Sequence, residues 1–85
     1  MYVVTETKVK TNAPEGTLSA SVRYVGEDFN EALNTAADIL DFEILHNEWE
    51  NYDEDGNGTE WWAVLKKEDW YKTIEVRHVN LRYWI

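Results

Sequence analysis

The sequence contains no cysteine, which excludes disulfides, thiolate metal centres and a cysteine nucleophile. Proline is nearly as scarce: Pro14 is the only one, so no proline-rich linker divides the chain. No apolar run approaches the roughly 20 residues needed to span a bilayer. The N-terminal segment, residues 1–6, has neither a basic start nor an apolar centre. No secretory signal is expected from it, and a cytoplasmic location is. Basic residues are also in short supply. Eight Lys and Arg face 17 Asp and Glu, for a net charge of −9. Direct binding to nucleic acid draws on a cationic surplus, so it is disfavoured, and anionic membranes are disfavoured for the same reason.

What remains is a chain built to fold. Its 85 residues are 44% hydrophobic and 14% aromatic, which fits one domain over residues 1–85. A chain of this length buries only about 60–65% of its unfolded surface, so modest stability is expected.

The polar and apolar pattern changes period along the chain. Residues 2–11 alternate, with Val3, Thr5, Thr7 and Val9 on one side, and read as a half-buried strand. Residues 12–16 carry turn chemistry. Leu18, Ala20, Val22 and Tyr24 alternate again, so the two segments should form a hairpin. Asp28 followed by Glu31 resembles a capping box and opens a helix. Phe29, Ala32, Leu33, Ala36, Ala37, Ile39 and Leu40 then share one half of the helical wheel. Beyond Asp41 the next apolar residues, Phe42, Leu45 and Trp49, would fall on the acidic side, so the helix is expected to end there. Residues 42–52 are ambiguous between strand and an extension of the helix to about residue 50. Residues 53–58 read as a loop and 60–66 as a strand, within a second hairpin over 42–67. The last segment alternates through Ile74, Val76 and His78, then changes phase at Val79, as a β-bulge would. The expected class is α+β. An antiparallel sheet of four to five strands carries one amphipathic helix on one face, in the order ββαβββ.

Charge is segregated along this order. From Glu27 to Glu60 there are twelve acidic residues and no Lys or Arg, while the rest of the chain carries five acidic and eight basic residues. Such a stretch repels itself, and no Lys at i+4 relieves the helix. A field of this kind complements a basic surface and can imitate a row of phosphates. Aromatic residues beside carboxylates supply contact anchors. The expected contact set is Asp28, Glu31, Asp38, Asp41, Glu48, Trp49, Glu50, Tyr52, Asp53, Asp55 and Glu60.

Other chemistries have weaker support. Residues 53–58, Asp-Glu-Asp-Gly-Asn-Gly, match half of an EF-hand loop, but Val64 stands where the bidentate Glu belongs. No metal or other cofactor is expected. Glu43 and His46 have a metal-ligand spacing only if helical, and a single pair does not make a site. Ser19 and Ser21 lack a nucleophile-elbow setting, and no phosphate-binding glycine loop is present. The chain therefore reads as a non-catalytic binding protein. Its profile of size, acidity and aromatic content is similar to the small acidic inhibitors that phages and other mobile elements direct against host enzymes. Anti-CRISPR, anti-restriction and DNA-mimic proteins are among them. That similarity implies a larger host protein with a basic, nucleic-acid-binding surface as the partner, in the host cytoplasm. Two alternatives stand beside it. One is a nucleotide held by Trp and by Lys66, Lys67, Lys72, Arg77 and Arg82. The other is a homodimer formed through an aromatic sheet face.

Overall fold

A computed structural model describes residues 1–10 and 17–80 of the chain. It contains five strands and one helix in the order ββαβββ. The strands are β1 (Tyr2–Lys10), β2 (Thr17–Gly26), β3 (Asn51–Asn57), β4 (Glu60–Lys67) and β5 (Trp70–His78), and the helix is α1 (Phe29–His46). All pairings are antiparallel, and the order across the sheet is β2-β1-β5-β4-β3. The expected turn at residues 12–16 lies outside the described residues, as do Arg82 and Trp84.

Period-two alternation assigns the two faces of the sheet. Val4 of β1, Ala63 and Leu65 of β4, and Ile74 and Val76 of β5 turn toward α1 and are buried. Ala32, Ala36, Ile39 and Leu40 of the helix close over them. The alanines let the helix approach the sheet closely. The helix packs against β1, β2 and β5, and so leaves the β3 end of the sheet less covered. Among the described residues, no helix is long and apolar enough to cross a membrane.

The helix start follows the expected signal in part. Asp28 is the N-cap, and its Oδ1 accepts from the amides of Asn30 at 2.8 Å and Glu31 at 3.3 Å. Glu31 does not complete the capping box. Its carboxylate accepts instead from the Tyr24 hydroxyl at 3.1 Å. The helix end differs from expectation: α1 runs to His46, past Asp41 and short of residue 50. The inward residue of the added turn is Glu43, which is buried. Of the residues that set the apparent limit, Phe42 and Leu45 are exposed, and Trp49 lies beyond the helix and is partly buried.

Three further expectations are corrected. Residues 53–58 are not a loop: β3 extends to Asn57, and the β3–β4 connection is only Gly58 and Thr59. Gly58 has φ +66°, a backbone region that a tight hairpin uses and that glycine enters freely. The second hairpin therefore spans 51–67 rather than 42–67. β5 ends at His78, so the expected bulge does not fall within it, and the alternation expected through Leu81, Tyr83 and Ile85 lies outside the described residues. The register shift lies between β1 and β2, where Val4 faces Tyr24 but Thr5 faces Val22, leaving Arg23 as the extra residue. Tyr24 consequently turns toward the helix while Val22 turns to the open face and is exposed.

Candidate functional site

Two hollows flank α1, and they differ in charge. On the β2 side, Asp38 and Phe42 share a hollow with Glu6, Arg23, Ile39 and Glu43. Arg23 makes that side mixed, and its Nη1 lies 3.9 Å from Glu6 Oε1. On the β3 side, Leu33, Ala37, Leu40 and Ile44 of the helix form one wall, and Tyr52, Glu54 and Trp61 of the sheet form the other. Asp41 stands on its rim. Ile44 and Tyr52 also line an adjoining hollow with Trp49, Glu50 and Asn51. No Lys or Arg lines either part. The result is an apolar groove framed by Asp41, Glu50 and Glu54.

Each expected contact residue has a definite place. Asp41, Trp49, Glu50 and Tyr52 come together in the groove. Tyr52 is 48% exposed. Asp53 and Asp55 alternate to the opposite face of the sheet, across from Val64 and Trp62. Glu60 lies there too, in a hollow with Trp62, Glu75 and Arg77. Asp38 looks to the mixed-charge side, and Glu48 is exposed in the α1–β3 connection. Asp28 and Glu31 sit at the helix start and are engaged locally, as cap and as acceptor for Tyr24. Glu54 and Leu33 belong to the groove but not to the expected set. Glu54 follows from strand alternation with Tyr52, once residues 51–57 are read as a strand.

The carboxylates of this region are largely uncompensated. Among the described residues, Asp38, Asp41, Glu48, Glu50, Asp53, Glu54, Asp55 and Glu60 make no ion pair. Glu43 is the exception in kind. It is buried and bonded to the Lys72 ammonium, and its Oε2 accepts from Asn47 Nδ2 at 2.8 Å and from the Trp49 indole N–H at 3.1 Å. Burial alone would raise the pKa of its carboxyl. The bonds from Lys72, Trp49 and Asn47, with the Lys72 charge, outweigh burial and hold it below the ordinary value. Trp49 is thus fixed from within while its ring lines the groove.

The same geometry addresses the other chemistries. Lys72 is buried and already engaged by both Glu43 and Glu6, the latter at 3.3 Å. Arg77 pairs with Glu75 at 3.0 Å, and Lys66 lies over the Tyr71 ring. Glu43 and His46 diverge: Glu43 points into the core, and His46 packs on Phe42 with ring centroids 4.4 Å apart. The carboxylates that resembled a calcium loop, Asp53, Glu54 and Asp55, all lie in β3, and a strand does not curl its carboxylates around one ion. Among the described residues, no group of three or more His, Asp or Glu is placed to hold a metal. No family model matches the chain, and no curated protein or solved structure matches it.

Proposed function

We propose that this is a small acidic, non-catalytic binding protein that docks on a basic, nucleic-acid-binding surface of a larger protein and blocks it. Such a role would make it an inhibitor of the anti-CRISPR or anti-restriction kind that phages and other mobile elements carry. The observation that carries the proposal is the groove between α1 and β3. Its floor is apolar and its rim is Asp41, Glu50 and Glu54, with no Lys or Arg among the residues that line it. An apolar centre inside a charged rim is the anatomy of a protein–protein contact. Uncompensated carboxylates steer a cationic partner toward it. The unpaired charge also carries a folding cost through self-repulsion, which a surface selected only for solubility would avoid by mixing signs.

The test is competition. A partner captured on the immobilised protein is offered duplex DNA or RNA with and without added free protein. The proposal expects the protein to displace nucleic acid in proportion to its own occupancy. Simultaneous binding of both to the partner would reject the blocking role.

A further inference from the structure

The edge of β3 offers backbone as well as side chains. β3 is the terminal strand of the sheet order, and all seven of its residues are exposed. It pairs with β4 from Asn51 to Asn57 without a register shift, so among the described residues its outer edge has no strand beside it. Edge strands are normally blunted by short length, a bulge, Pro, charged side chains, above all Lys, or an inward-pointing charge. β3 has neither Lys nor Pro, and its ladder is regular. Its charged residues, Asp53, Glu54 and Asp55, are all acidic. A second β3 brought to this edge would meet charge of its own sign. A cationic strand would be attracted. The opposite edge, β2, contains the register shift and Arg23, and lacks this combination.

The two faces of β3 ask for different things. On the helix side, Tyr52 and Glu54 open onto the apolar groove with Leu40, Ile44 and Trp61. On the other side, Asp53 and Asp55 are exposed. A strand laid along this edge would alternate in the same way.

We propose that β3 receives an extended basic segment of the partner as a sixth strand. Its alternate apolar residues enter the groove, and its Lys or Arg residues face Asp53 and Asp55. Main-chain bonds supply affinity and the alternating side chains supply specificity. This inference rests on the proposed function and names the form its partner takes.

The probes are three synthetic peptides titrated into the full chain. One alternates Lys and Val, one is the same peptide with alternate amides N-methylated, and one is a Lys/Leu peptide with helical spacing. Trp fluorescence reports binding, and amide hydrogen exchange reports protection of β3. The alternating peptide should bind and slow exchange at alternate β3 amides. N-methylation should weaken it about tenfold or more, because it removes strand pairing and leaves charge intact. Asp53→Lys with Asp55→Lys should weaken it by a similar factor, with the fold checked by circular dichroism. Equal binding of the N-methylated peptide, or tighter binding of the helical one, would overturn strand addition and leave the acidic docking surface standing. Failure of all three peptides to bind would overturn both. Concentration-dependent dimerisation that protects β3 would assign the edge to a second copy and overturn the inference.

Discussion

The Lys72 ammonium and the Glu43 carboxylate are the two buried charged groups of the described core, and they bond to each other beneath the last turn of α1. The pair joins the helix end to the middle strand of the sheet. Glu6 approaches the same ammonium from β1, and Asn47 and Trp49 satisfy the other carboxylate oxygen from the segment that leads into β3. One network thus sets where the helix stops, where Trp49 sits and how the groove is framed.

Removing one member of that pair should be costly. Glu43→Ala leaves Lys72 buried with Glu6 as its remaining acid. It should lower unfolding free energy by about 2–4 kcal/mol in chemical denaturation. Replacing both, as Glu43→Leu with Lys72→Met, should cost much less, because no charge then stays buried alone. A double variant as unstable as the single one would show that the pair contributes more than mutual neutralisation.

The pair also sets an acid limit. The Glu43 carboxyl is held below its ordinary value of 4.5 in the folded chain. Its contribution is therefore fully present above that value and is lost as pH falls through the lower, folded-state one. Urea midpoints of wild type and Glu43→Gln should differ at pH 7, and the gap should narrow as pH drops below 4.5. A gap constant down to strongly acidic pH would mean that the carboxyl titrates alike in folded and unfolded chains.

The β4–β5 hairpin holds a local conflict. Its two-residue turn is Glu68-Asp69, and Glu68 has φ +51°, where a side chain crowds the backbone. Glu68→Gly should stabilise the protein by about 0.5–1 kcal/mol, read as a higher urea midpoint at unchanged slope. The same substitution at Asp69, whose φ is not positive, should not.

The order of elements along the chain, and the inward pair Ile74 and Val76 of β5, were legible because burial of one face writes alternation into sequence. In β1 the side carrying Val3, Thr5, Thr7 and Val9 is the open face, and the core residue is Val4 on the side of Tyr2 and Glu6, which polar residues disguised. β3 was illegible for the converse reason. Both its faces are exposed, so Asp53-Glu54-Asp55 looked like a loop. The helix end was missed because its inward residue is Glu43, and hydrophobic periodicity does not count a carboxylate. A signal did exist in β5: Lys72 stands in phase with Ile74 and Val76, and a lysine at an inward position calls for a buried acid. The eleven expected contact residues were chosen by charge and proximity in sequence. The structure gathers Asp41, Trp49, Glu50 and Tyr52 and sends Asp53, Asp55 and Glu60 to the other face, because strand alternation divides neighbours that a loop would have kept together.

The carboxylates around the α1–β3 groove should draw in a cationic partner. The most direct test is the association rate with a captured partner, followed by stopped-flow Trp fluorescence across a salt series. Wild type should associate more slowly as salt rises, and Asp41→Lys with Glu54→Lys should cut the low-salt rate about tenfold or more and flatten the salt dependence. A rate indifferent to both salt and charge reversal would show that these carboxylates do not steer the encounter.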